Sequence, residues 1–136
     1  MIFADTGYFV AFLKERDDLH ALALRWAAAV REPILITEYV LVEVANACSA
    51  PSIRRRLHVF LERVRASSDF EIVPATSELL ERGLQLHKTR PDKEWSLTDC
   101  ISFVVMQERG ITRALAYDHH FEQAGFEALL RREPDI

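Results

Sequence analysis

The stretch MIFADTGYFVAFL, Met1–Leu13, decides how this chain folds. Ile2, Phe3 and Ala4 form a short apolar run that stops at Asp5, and apolar residues resume at Tyr8. This order predicts a buried strand, a turn at the carboxylate and a helix over GYFVAFL. The same order returns near the end, where the strand-like run ALAY (114–117) leads directly into Asp118.

Between these ends, strand-like and helix-like segments alternate. DDLHALALRWAAAV (17–30) has helical spacing at Leu19, Leu22, Leu24 and Trp26. PILIT (33–37) reads as a buried strand bounded by Pro33, and Thr37 is positioned to cap a helix running through Cys48. Pro51 suits the first turn of the next helix, SIRRRLHVFLERVR (52–65). FEIV (70–73) is a third strand, followed by a helix from about Ser77 to His87 and a polar loop, RPDKEW (90–95). SLTDCISFVVMQER (96–109) is a helix that Gly110 ends, and FEALL (126–130) reads as a short edge strand. Short strands separated by helices require βαβ crossovers, so the expected class is α/β: a three-layer α/β/α sandwich around a mostly parallel central sheet. In such sheets ligands gather at the carboxyl ends of the strands.

The chain has 136 residues, the size of one domain, and is read as a single domain over residues 1–136. A chain of this length buries about two-thirds of its unfolded surface and needs no disulfide or structural metal to fold. Its 49% hydrophobic and 28% charged residues are those of a globular protein rather than a disordered one. No apolar run is long enough to span a bilayer, and no basic region precedes an apolar stretch at the N-terminus, so the cytoplasm is the expected compartment. Cys48 and Cys100 have no zinc-type spacing and read as buried free thiols. A formal net charge of −4 argues against a protein that coats nucleic acid, but is compatible with acids gathered around a metal.

Asp5, Glu43, Asp99 and Asp118 stand in apolar surroundings, unlike the acids of KERDD or SELLERG. Asp5 and Asp118 follow strands, where Asp also serves as a helix cap. Ser96 to Asp99 matches a capping box, which is compatible with a second role only if one carboxylate oxygen stays free. Glu43 lies mid-helix in YVLVEVANA, with no basic residue one turn away to offset its burial. Two strand ends and two helix faces can meet at one sheet edge. Like charges brought together there raise one another's pKa and require a cation. Oxygen ligands favour Mg²⁺ or Mn²⁺ over zinc.

These residues resemble the PIN-domain family, and most of all the VapC-type ribonuclease toxins of bacterial and archaeal toxin–antitoxin modules. The resemblance rests on Asp5-Thr6, on Glu43 with Asn46 three residues later, on SLTDCISF around Asp99 and on YDHHFEQAGF around Asp118. It covers essentially the whole chain. It implies a metal-dependent endoribonuclease in which Asp5, Glu43, Asp99 and Asp118 are the catalytic and metal-binding acids, supported by Thr6 and Asn46. One or two Mg²⁺ or Mn²⁺ ions are implied, together with an RNA substrate, a cognate antitoxin protein and a homodimer. Gly7 stands where relatives frequently carry Ser or Asn, and Ala116 where Thr or Ser is common.

Other features are read more plainly. His119 and His120 read as a surface pair at a helix start. Arg54, Arg55 and Arg56 read as a solvated face or an antitoxin contact, whereas Lys88, Arg90 and Lys93 lie just before the Asp99 helix and are the favoured contacts to an RNA backbone. Tyr8, Phe9, Phe12, Trp26, Tyr39 and Phe60 are mostly core, with a groove as the alternative. Two rival functions are a Mg²⁺-dependent phosphatase or phosphoacceptor domain and a non-catalytic PIN-like binding module. The first lacks the second Asp of a D-x-D nucleophile after Asp5.

Overall fold

The computed structural model describes residues 1–135. Five strands, β1 (Ile2–Ala4), β2 (Ile34–Thr37), β3 (Phe70–Val73), β4 (Arg113–Leu115) and β5 (Glu127–Ala128), form one sheet in the order β3-β2-β1-β4-β5. Every pairing is parallel, so the sheet is entirely rather than mostly parallel. The three central strands are short and apolar because helices cover both of their faces: Phe3, Ala4, Leu35, Ile36, Ala114 and Leu115 are fully buried.

The strand order dictates where the helices lie. The chain runs from β1 to β2 through α1 (Thr6–Leu13) and α2 (His20–Ala29), then to β3 through α3 (Glu38–Ala47) and α4 (Pro51–Ala66). Both crossovers step in one direction, and right-handed crossovers therefore put all four helices on one face. From β3 the chain returns past β1 through α5 (Ser77–Thr89) and α6 (Leu97–Arg109) to β4, which places those helices on the other face. The short α7 (His119–Gln123) continues in that direction to β5, and a 3₁₀ turn over Leu129–Arg131 follows. The direction reverses between β1 and β4. At their carboxyl ends the connections part to opposite faces, leaving a crevice where Asp5 follows β1.

Local signals account for most boundaries. Thr37 and Thr76 each accept an amide hydrogen bond at the start of α3 and α5. Pro51 opens α4 at its first turn, and Gly110 ends α6 with φ of 65°, a conformation that favours glycine. Gly83 is buried where α5 meets α6, and a Cβ at that position would collide with Ile101 Cγ1. Cys48 and Cys100 are buried and unpaired, as expected. No helix among the described residues is long and apolar enough to cross a membrane.

Three details depart from the sequence reading. Leu24 is 44% exposed, and Ala23 takes the core position on α2 beside Trp26. The fourth strand is Arg113–Leu115 rather than ALAY, because β4 pairs with β1 only as far as Ala4 and Leu115. Asp118 therefore lies beyond buried Ala116 and exposed Tyr117 instead of directly at the strand end. FEALL is a strand only at Glu127–Ala128, since Leu129 and Leu130 turn into the core within the 3₁₀ turn.

Candidate active site

Asp5 occupies the cap position of α1, but its side chain accepts no capping hydrogen bond. It is nevertheless buried, at 9% exposure. A carboxylate buried without a capping partner is costly to ionise unless a cation or a proton offsets its charge. Burial first, and the charge of Asp99 next, push its carboxyl up from 3.8 to about 7; Glu43 and Asp118 add to the rise, against the Thr6 backbone. All four acids therefore act on one electrostatic neighbourhood, although residues 5 to 118 separate them along the chain.

The same four side chains line a single open cleft of about 670 Å³. Thr6, Gly7, Ser96, Tyr117, His119, His120 and Arg131 complete much of its wall. Glu43 faces this cleft from α3, and the Thr6 hydroxyl donates to its Oε1 at 2.6 Å. That hydroxyl is the partner that no residue one helical turn away supplies, and it ties α3 to α1 across the mouth of the site. Asn46, by contrast, is exposed and is not among the cleft-lining residues.

Asp99 fills the capping role foreseen for it and also lines the cleft. The Ser96 hydroxyl accepts from the Asp99 amide at 3.0 Å, and Asp99 Oδ2 accepts from the Ser96 amide at 3.1 Å, which closes the capping box at the start of α6. His120 Nδ1 also lies 3.1 Å from Oδ2. Among the described residues the hydrogen bonds of this carboxylate all fall on Oδ2, and Oδ1 has none. Burial raises the Asp99 carboxyl above its ordinary value, against the lowering pull of the Ser96 amide and His120.

Asp118 caps α7 by accepting from the His120 amide at 3.0 Å, and its side chain is 43% exposed at the rim. His119 is the surface residue expected, but His120 is not. Its side chain is only 15% exposed, and Nδ1 sits 3.1 Å from Asp99 and 3.3 Å from Asp118. The cap at Asp118 turns α7 so that its second residue faces inward. Among the described residues, Asp118, His119 and His120 are the group that brings three ligand atoms within 4.8 Å of one another; Asp5, Glu43 and Asp99 stand more openly around the cleft.

Lys88, Arg90 and Lys93 do not line the cleft, and the residue of the polar loop that does is Glu94. Arg90 is engaged by Asp92 at 3.0 Å and lies over the Trp95 ring at 5.0 Å. The cleft's guanidinium is instead Arg131, from a C-terminal RREPD segment in which no spacing or motif marks it.

The PIN-domain profile matches residues 2–127. The chain belongs to the PIN-domain family. This PIN domain is 29% identical over 126 residues to the 23S rRNA-specific endonuclease VapC20 of Mycobacterium tuberculosis, covering 93% of this chain and 95% of that protein. The crystal structure of M. tuberculosis VapC20, described as a sarcin-ricin loop cleaving toxin, superposes with a TM-score of 0.84 at 28% identity, over 93% of this chain and 96% of that one. FitAcB from Neisseria gonorrhoeae shares the fold, with a TM-score of 0.67 at 18% identity over 94% and 95% of the two chains.

Proposed function

We propose that this PIN domain is a metal-dependent endoribonuclease, the toxin of a toxin–antitoxin pair, acting in the cytoplasm. The observation that carries the reading is the convergence of Asp5, Glu43, Asp99 and Asp118 on one cleft at the point where the sheet reverses direction. The similarity to VapC20 over nearly the whole chain supports RNA as the substrate class.

The donor set fits a hard divalent cation. It offers carboxylate oxygens, one of them on an acid that burial and like charges keep from ionising until about pH 7. Asp5, Asp99 and Asp118 would hold Mg²⁺ or Mn²⁺, as one ion or two. When bound, the metal supplies an acidified water and stabilises charge on the phosphoryl oxygens. The remaining work belongs to the protein. Glu43, held at Oε1 by Thr6, would contact the attacking water through its other carboxylate oxygen. His120 bridges Asp99 and Asp118, and the capping box engages Asp99 through Oδ2, which leaves Oδ1 for a ligand.

The test is cleavage of a panel of single-stranded and looped RNAs with Mg²⁺, Mn²⁺ or EDTA. Cleavage that needs the metal is the expected result. Cleavage that persists in EDTA, or none on any RNA with either ion, rejects this reading.

Two partners complete the proposal. The antitoxin is assigned to an apolar groove of about 530 Å³ formed by Phe12, Val59, Phe60, Val64 and Phe70 and edged by Arg55, Arg56 and Arg63, which suits an apolar segment carrying acidic residues. This favours the antitoxin-contact reading of the arginine run. A homodimer is assigned to the face of α3 where Val42 is 56% exposed near Leu41, Leu61 and Ile72. Val42→Glu is expected to sediment as a monomer where the wild type sediments as a dimer; equal sedimentation removes that face from the proposal.

A further inference from the structure

The cleft has an electrostatic problem that the four acids alone do not solve. Asp5, Asp17, Glu43, Glu94, Asp99 and Asp118 all line it, and Arg131 is the single Lys or Arg among its walls. A polyanion must enter against that field, and a bound metal cancels only the charge at the floor. Arg131 stands beside Tyr117, which is 47% exposed although it separates buried Ala116 from the site acid Asp118. An aromatic ring held open to solvent at the edge of a polar cleft is an unusual placement, because rings of this size ordinarily gain by burial.

The pair is built rather than loose. The Leu130 amide donates to the Ala116 carbonyl at 3.1 Å, fixing the 3₁₀ turn to the chain just beyond β4. Arg131 Nη1 donates to the Tyr117 carbonyl at 2.8 Å, and its guanidinium carbon lies 4.7 Å from the centroid of the Tyr117 ring. Glu122 Oε1 lies 3.4 Å from Arg131 Nε and forms an ion pair with it. Arg131 Nη2 has no protein partner among the described residues, and neither has the Tyr117 hydroxyl. The guanidinium covers one face of the ring, so the ring's remaining exposure is available to a second flat group.

We infer that Tyr117 and Arg131 form a nucleotide subsite at the rim of the cleft: the ring stacks on a base of single-stranded RNA beside the bond to be cut, and Arg131 takes the adjoining phosphate. The inference rests on the ribonuclease reading and adds to it the means by which RNA is held. Stacking on an aromatic ring tolerates any base, since every base has a π-face, so this subsite orients the strand more than it reads sequence. Because Arg131 is already tied to the Tyr117 carbonyl and packed over its ring, less conformational freedom is lost when the strand binds.

The test uses a fluorescein-labelled RNA oligonucleotide taken from the panel above and cut by the wild type. Its binding to the Asp99→Asn protein is followed by anisotropy with Mn²⁺ present. Tyr117→Leu in that background is expected to raise Kd by about tenfold, and Tyr117→Phe to leave it unchanged, since stacking needs the ring and not the hydroxyl. Arg131→Gln is expected to weaken binding and to reduce the slope of log Kd against log salt by about one phosphate contact. Melting temperatures of the variants check that the exposed substitutions leave the fold intact. If Tyr117→Leu and Arg131→Gln both bind as tightly as the parent while the wild type cuts RNA, the subsite is wrong and the nuclease stands. A wild type that neither cuts nor binds RNA overturns both.

Discussion

Asp99→Asn is expected to remove metal-dependent RNA cleavage while leaving the melting temperature of the metal-free protein unchanged or higher. The separation follows from which oxygen does what. Oδ2 accepts from the Ser96 amide and faces His120, and Oδ1 has no hydrogen-bond partner among the described residues. An asparagine keeps a carbonyl oxygen for the capping contact and places an NH₂ where a metal needs an oxygen donor. It also removes a charge that burial already disfavours, since the Asp99 carboxyl is raised above its ordinary value in the fold. The rate is expected to fall by at least about 10²–10³-fold, the scale of losing one group that stabilises developing charge. Asp99→Ala distinguishes this account from a purely structural one. It removes the acceptor for the Ser96 amide as well, a hydrogen bond of about 1 kcal/mol, and should melt lower than the asparagine variant by a few degrees. An Asp99→Asn protein that unfolds, or that cuts RNA at the wild-type rate, reduces Asp99 to a helix cap.

The capping box shows why Asp99 was so legible in the sequence. Ser96, Thr98 and Asp99 ahead of an apolar run specify both a helix start and the direction of the third side chain. Asp5 was legible for a similar reason, since a short apolar strand ending in an acid fixes where that acid emerges from a parallel sheet. Glu43 was marked by an absence, with no local cation to satisfy it, but its actual partner lies on α1 and is a matter of tertiary packing. Crossover handedness and strand order then determine that the loops after β1 and β4 part at the same edge. Local pattern is therefore enough to mark the elements and four candidate acids, while the order of the strands comes from the fold.

What the sequence concealed depends on turns of short elements. α7 is a five-residue helix, and its cap at Asp118 decides that His120 faces Asp99 while His119 faces solvent. No periodicity can be read over so short a segment. Arg131 reaches the cleft because the 3₁₀ turn after β5 folds back toward Tyr117, a contact unrelated to any spacing along the chain. The basic residues of the loop stay outside the cleft for the complementary reason. Adjacency to Asp99 in sequence says nothing about which way a lysine or arginine points, and Asp92 and Trp95 claim Arg90 locally.

In EDTA the protein should lose stability as pH rises from 5 to 8, the reverse of what most carboxylates produce. Asp5 has an ordinary value of 3.8 and is pushed to about 7 in the fold, chiefly by burial and then by Asp99. Below 3.8 both folded and unfolded states hold the proton, and the group contributes no penalty. Above it the unfolded chain ionises while the folded state keeps its proton, so stability falls with each step in pH until the folded group ionises too. The displacement amounts to about 4 kcal/mol in all, of which roughly 3 kcal/mol falls between pH 5 and pH 8. Asp99, also raised by burial, acts in the same direction. Glu32 and Glu71, held below their ordinary 4.5 by Arg113 and Arg109, act in the opposite direction but lose their contribution only as pH drops below that value, outside the window. Urea denaturation across the window should therefore show a falling midpoint for the wild type and a flatter one for Asp5→Asn. Saturating Mg²⁺ or Mn²⁺ at pH 8 should restore the wild type, because the ion binds the ionised cluster of the folded state alone, and should do less for the variant. Parallel pH profiles for the two proteins, with no gain from either ion, would mean that Asp5 ionises as a surface acid does, and the strain that a cation is proposed to relieve would not exist.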